Sequence, residues 1–148
     1  MNIAIGSDHR GCDMKEFIKG ILEEHGHTHH DFGCYSQNAV DYPDVALEVA
    51  EAVKAGDYRL GVLICGTGIG MCIAANKVHG IRAAQCYDAF TAMRARLHND
   101  AQVCCIAAEE GKTKVPAILE KFLTTGFEGG RHVARVEKIR AIEEKQCQ

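Results

Sequence analysis

The sequence predicts an α/β domain with a parallel five-stranded sheet wound on both faces by helices, on three observations. Short runs rich in Ile, Val and Ala alternate with longer segments whose apolar residues recur at helical spacing, the pattern of right-handed β-α-β crossovers. One run, Leu60 to Ile64, is wholly apolar, as a strand buried on both faces must be. Directly after it come Cys65 and three glycines, Gly66, Gly68 and Gly70, then a helical stretch from Met71 to Ala75. That loop therefore lies at the carboxyl end of a strand, where open α/β sheets bind their ligands.

Asn2 to Ser7 reads as the first strand, followed by a loop Asp8-His9-Arg10-Gly11. Met14, Phe17, Ile18, Ile21 and Leu22 then mark a helix that Gly26 stops. His27 to Phe32 is a weak second strand; two of its three histidines, His27, His29 and His30, fall on alternate positions but lack a third convergent metal ligand, which favours a half-exposed edge strand. Pro43 suits the first turn of a helix with Val45, Val49, Ala52 and Val53 inward and Gly56 at its end. Beyond the central strand, Arg82 to Tyr87 is a fourth strand, and Asp88 to His98 a helix with Phe90, Met93 and Leu97 inward, closed by His98-Asn99-Asp100. Val103 to Ala107 is the fifth strand, with Cys104 and Cys105 on opposite faces. Pro116 to Leu123 is a short helix, and a linker holding Gly126, Gly129 and Gly130 leads to a last helix over His132 to Glu144.

At 148 residues the chain makes one domain, large enough to bury a core without staples. A net charge of −3 with 25% charged residues argues against a general binder of nucleic acid or membrane surface. Met1 leads straight into a strand, with no signal peptide and no apolar run of about 18 residues, so a cytoplasmic protein is expected. The eight cysteines show no framework and no C-x-x-C pair, which speaks against a thiol redox protein and leaves most of them as small core hydrophobes.

Cys65 is the strongest chemical candidate. Glycines let several backbone N–H groups converge on an anion or oxyanion, and such donors favour a thiolate, which can attack or take a proton. A buried cysteine in a tight connection is the other reading of the same pattern. Two specific chemistries fail on spacing. A G-x-G-x-x-G dinucleotide fingerprint requires glycine where Met71 or Ile73 stands, and a thiol phosphatase loop requires an arginine that Gly66 to Ala75 lacks. Polar groups also gather after other strands: Asp8 and His9 after the first, and His98 with Asn99 closing the helix after the fourth. Arg131 and Arg135, one helical turn apart, can converge on one anion.

The motifs GSDH (Gly6 to His9), DYPD (Asp41 to Asp44), ICGTGIGM (Ile64 to Met71), AANKV (Ala74 to Val78), GIRAA (Gly80 to Ala84), HND (His98 to Asp100) and FEGGRH (Phe127 to His132) span nearly the whole chain in order. In these the sequence resembles the ribose-5-phosphate isomerase B family, within the wider sugar-phosphate isomerases that include galactose-6-phosphate and allose-6-phosphate isomerases. The resemblance implies a three-layer α/β/α, Rossmann-like domain over residues 1–148 with strand order 2-1-3-5-4. It also implies a homodimer or dimer of dimers with shared active sites and a C-terminal helix, about 131–144, docking on the partner subunit.

The implied reaction is interconversion of an aldose and a ketose phosphate through a cis-enediol(ate), in pentose phosphate metabolism, with neither metal nor organic cofactor. By resemblance Cys65 is the carbon base, Thr67 moves hydroxyl protons, and His98 opens the furanose ring. Gly66, Gly68 and Gly70 bring amides to the enediolate, Asp8 binds sugar hydroxyls, and His9, Arg131 and Arg135 bind phosphate. Asn99 and Tyr42 line the pocket. The alternatives are an isomerase of a six-carbon sugar phosphate and a non-catalytic sugar-phosphate binding protein. The chain departs from the family pattern after the fifth strand, where relatives usually carry a phosphate-binding arginine and this sequence has Glu109. Arg10 and Cys12 stand where a small residue and an aromatic one are common.

Overall fold

The computed structural model describes residues 1–147. The chain runs β1 (Asn2–Ser7), α1 (Cys12–Glu24), β2 (Thr28–Asp31), α2 (Tyr42–Ala55), β3 (Leu60–Cys65), α3 (Ile69–Ala75), β4 (Ala83–Gln85), α4 (Ala89–Asn99), β5 (Val103–Ala107), α5 (Val115–Thr124) and α6 (Arg131–Gln146). All strand pairs are parallel and the sheet order is β2-β1-β3-β5-β4, as the resemblance implied.

Alternation along the three inner strands divides the core into two halves. Ile3, Ile5, Val62, Ile64, Cys104 and Ile106 face Ile18 and Leu22 of α1, Ala92 of α4, and Leu119 and Phe122 of α5. Ala4, Leu63, Cys65, Val103 and Cys105 face Val45, Val49 and Val53 of α2, and Met71 and Ala75 of α3. Each fully buried Ile, Leu or Val contributes about 1.5–3 kcal/mol, so the two halves together carry the fold. Gly61, the second residue of β3, lets α2 approach: a Cβ there would lie 3.1 Å from Val49 Cγ1 and 3.2 Å from Val53 Cγ2.

From β1 the chain turns outward to β2, and from β3 it moves the other way to β4 and β5. The order therefore reverses between β1 and β3, and their carboxyl ends flank the ligand crevice of an open α/β sheet. The Asp8 N–H, donating to Ile64 O at 3.1 Å, ties the two ends together.

Several expectations need correction. The inward face of α4 is Ala92, Ala95 and Arg96; Phe90 is 60% exposed, and Met93 and Leu97 are half-buried. Two alanines admit α5 closely, and Arg96 is acceptable inside because its guanidinium donates to Thr125 O, Ala101 O and Asp100 Oδ1 while lying over the Phe122 ring. On α2, Ala46 and Ala50 are fully buried, whereas Ala52 is half-buried. Strand β4 is shorter than expected: the Arg82 N–H donates to Gln102 Oε1 at 2.8 Å instead of to a strand carbonyl, and its guanidinium donates to Asn99 O and Asp100 O.

The edge reading of β2 holds, for it pairs with β1 alone. Its histidines go to separate partners: His27 to the N-terminal amine, His29 to Glu23, and His30 to the Phe32 ring. Lys15, fully buried on α1, donates to Asp31 Oδ1 at 2.7 Å and to Cys34 O, anchoring α1 to the edge of the sheet.

Candidate active site

A cavity of about 810 Å³ opens at the β1/β3 crevice, walled by the loop after β1, the glycine loop after β3 and the start of α2. It gathers Asp8, His9, Tyr42, Cys65, Gly66, Thr67 and Gly70 of the expected site residues.

Each wall is fixed by backbone chemistry. Asp8 Oδ1 accepts from the N–H groups of Arg10 (3.0 Å) and Gly11 (3.1 Å), capping a single 3-10 turn, His9–Gly11. A Cβ on Gly11 would lie 2.8 Å from Ile64 O, so only glycine lets this turn sit against β3. His9 Nδ1 accepts from the Val40 N–H at 3.2 Å. That bond assigns the ring proton to Nε2, making His9 a hydrogen-bond donor on its other nitrogen.

Cys65 is only 5% exposed, and its Sγ accepts the Gly68 N–H at 3.2 Å. Gly68 reaches this position with φ +77, in the left-handed region where a side chain is strained. Thr67 Oγ1 accepts the Ile69 N–H at 3.2 Å, and Thr67 O accepts from Gln85 Nε2 at 2.6 Å. Helix α3 begins at Ile69, two residues earlier than expected, and has seven residues. The Gly68 amide of the loop, more than a helix dipole, therefore faces the sulfur. Among the described cysteines only Cys65 lines this cavity. Behind the loop a hydrogen bond from the Cys105 thiol draws the Cys72 pKa down to about 7, while Cys105, hydrogen-bonded to Cys72 and fully buried, is pushed well above its ordinary value.

Gly70 sits beneath the Tyr42 ring, where a Cβ would lie 2.6 Å from Cζ. Gly70→Ala is expected to swing Tyr42 off the cavity. Because Tyr42 is 40% exposed and free to move, the stability loss should stay below the about 1–3 kcal/mol of core overpacking. Ligand affinity should fall several-fold, and thermal melting with binding measurements on the same variant checks both parts.

His98, Asn99, Arg131 and Arg135 stand apart from this cavity. Helix α4 starts at the carboxyl edge of the sheet, capped by Asp88, and runs back to the opposite edge, where Asp100 closes it. Eleven residues at about 1.5 Å each separate its ends by roughly 16 Å. Here the His98 ring stacks on His132, with centroids 4.1 Å apart and planes 15° from parallel. Glu128 Oε2 lies 3.7 Å from His98 Nε2 and 3.3 Å from His132 Nε2. Near-parallel rings send their nitrogen lone pairs in parallel directions, so this trio does not converge on one metal ion. Arg94 Nη1 lies 3.0 Å from His98 Nε2. Burial, then the neighbouring His132 and Arg94 charges, hold the His98 pKa below its ordinary value, keeping a neutral imidazole near pH 7.

Arg131 and Arg135 begin α6, both exposed and without an ion pair among the described residues. Helix α6 buries only His132 and Val136 and leaves Val133, Ile139 and Ile142 exposed.

Sequence reasoning missed Gln85 and Val40, which hold Thr67 and His9 in place. Gln85 ends a strand beside β5, a position with a weak signal; Val40 acts through its backbone, which leaves none.

The Ribose/Galactose Isomerase family model matches residues 3–139. The chain belongs to this family. It is 44% identical to the "Ribose-5-P isomerase B" of Listeria innocua serovar 6a, over 98% of this chain and 99% of the relative. It is also 44% identical to the "D-erythrulose-4-phosphate isomerase" of Pectobacterium atrosepticum, over 99% and 97%. The solved structure of the Clostridium thermocellum ribose-5-phosphate isomerase B superposes with a TM-score of 0.97 at 46% identity, covering 99% of each chain. Family membership gives the cavity a sugar-phosphate context. Among the described residues, no helix is long and apolar enough to cross a membrane.

Proposed function

We propose that this protein is an aldose-ketose isomerase that interconverts ribose 5-phosphate and ribulose 5-phosphate through a cis-enediol(ate). The observation that carries the reading, in a member of this family, is a buried Cys65 thiol at the floor of a strand-end cavity, bonded to a glycine-loop amide. His98 of the partner subunit opens the ring by passing the proton of the anomeric hydroxyl to the ring oxygen. The Cys65 thiolate then takes the C2 proton, while charge moves to O1. The Gly68 and Ile69 N–H groups are engaged within the loop, which leaves those of Gly66, Thr67 and Gly70 to hold that oxygen. Thr67 shifts a proton from O2 to O1, and Cys65 delivers its proton to C1. Asp8 binds sugar hydroxyls. The His9 Nε2–H donates to the phosphate together with Arg131 and Arg135 of the partner subunit. Tyr42 and Asn99, the latter also of the partner, line the site. The working unit is a homodimer or a dimer of dimers in the cytoplasm.

The test is turnover by the purified protein of ribose 5-phosphate, allose 6-phosphate, galactose 6-phosphate and erythrulose 4-phosphate, the last included because one 44% identical relative bears that name. Ribose 5-phosphate is expected to give the highest kcat/KM. Preference for a four- or six-carbon substrate would overturn the pentose assignment, and turnover of none would overturn the isomerase reading. His98→Asn should slow ribose 5-phosphate by about 10²-fold or more, and erythrose 4-phosphate, which forms no furanose, far less. Equal losses would place His98 in another step.

A further inference from the structure

Arg10 lines the cavity wall between His9 and the glycine loop, and its guanidinium reaches across Gly66 to Glu109, with Arg10 Nη1 3.0 Å from Glu109 Oε1. Glu109 is fixed to the same loop, since its N–H donates to Gly66 O at 3.0 Å. Gly66 leaves the room for this crossing: a Cβ there would lie 2.7 Å from Glu109 Oε1 and 3.2 Å from Arg10 Cδ. Glu109 itself stays outside the cavity lining, whereas Arg10 is part of it.

The two side chains are 65% and 55% exposed, and an ion pair so open to water holds its members weakly. One guanidinium nitrogen is committed to the carboxylate, out of a fork that offers five N–H donors. A phosphate brings more charge than a carboxylate and presents paired oxygens that suit the fork bidentately. The Nε2–H of the adjacent His9 offers a donor to the same anion.

We propose that Arg10 is a phosphate ligand of this site, held ready over the glycine loop by Glu109 and released from it when the phosphate arrives. The proposal rests on the reading of the cavity as a sugar-phosphate site and names a recognition group for it. Glu109 then acts on affinity alone, as a competitor for the guanidinium and a like charge beside the incoming anion.

Calorimetric binding of inorganic phosphate to the full chain, alongside KM and kcat for ribose 5-phosphate, tests this without depending on turnover. Arg10→Ala is expected to raise the phosphate Kd and the sugar-phosphate KM about ten-fold with kcat little changed. Arg10→Lys, which keeps the charge and loses the fork, should fall between the two. Glu109→Gln should lower the phosphate Kd several-fold. Arg10→Ala combined with Glu109→Ala removes both charges and should still bind phosphate more weakly than the wild type, because the ligand itself is gone. An unchanged Kd in Arg10→Ala, or a double variant that binds as well as the wild type, overturns the proposal and reduces the pair to a surface tie. If the wild type isomerises ribose 5-phosphate while Arg10→Ala keeps its phosphate affinity, the ligand role alone fails. Phosphate binding lost in Arg10→Ala by a protein that turns over no sugar phosphate supports the ligand role and removes the isomerase reading.

Discussion

Cys65→Ala is expected to lose isomerase turnover by about 10² to 10⁴-fold while substrate affinity and folding stay close to those of the wild type. Cys65 ends β3, its backbone is paired with Ala107 in the parallel ladder, and its side chain joins the core half formed by α2 and α3. Replacing it by alanine removes one sulfur at the cavity floor and leaves the Gly68 N–H without its acceptor, a loss of about 1 kcal/mol. Neither change disturbs Asp8 or His9, which backbone N–H groups hold. The carbon-bound proton, by contrast, would have no base beneath it. Initial rates and ligand binding on the same preparation separate the two effects, and near-normal turnover would return Cys65 to packing.

Much of this arrangement is legible in the sequence, because β3 and the glycine loop state their constraints locally. An unbroken apolar run has to be covered on both faces, and glycines at 66, 68 and 70 mark places where a side chain would strike Glu109, strain the backbone or strike Tyr42. The strand alternation gives the parallel sheet, while its order came by resemblance. Helix α4 shows where the reasoning stops. Phe90, Met93 and Leu97 form the more apolar stripe, yet the core takes Ala92, Ala95 and Arg96. Periodicity reports that a face is apolar without saying what it meets, and it scores a buried arginine as polar even when carbonyls satisfy it. Long-range pairs are hidden for a related reason. Lys15 with Asp31 and Arg10 with Glu109 are single polar residues far apart in the chain, and only the fold reveals that they meet. The carboxyl-edge half of the site is therefore readable as a strand-end loop, whereas the separation of His98 and the arginines from it emerges only when α4 and α6 are placed.

Mixing two inactive variants is expected to restore activity. Cys65 lies at the carboxyl edge of the sheet and His98 at the far end of α4, roughly 16 Å along the helix. A proton passes between groups within hydrogen-bond reach, so the proposed roles of Cys65 and His98 require the His98 that serves a cavity to come from a second chain. Arg131 and Arg135 lie near that distant end, on a helix whose Val133, Ile139 and Ile142 remain uncovered, and on the proposed reading this surface packs on a second copy. In a two-fold dimer each cavity would then receive His98, Arg131 and Arg135 from its partner. A Cys65→Ala chain lacks the base in its own cavity, and an Arg131→Ala, Arg135→Ala chain withholds the phosphate ligands from its partner's cavity. In a heterodimer of the two, the intact cysteine and the intact arginines fall in the same cavity, while the other cavity lacks both. Equal mixing with free subunit exchange should therefore yield roughly a quarter of the wild-type turnover. Mass spectrometry of differently tagged chains verifies that heterodimers form, and the rate is read on the same sample. Heterodimers that form but stay inactive, beside arginine variants that bind substrate poorly, would assign Arg131 and Arg135 to the cavity of their own chain and end the shared-site reading.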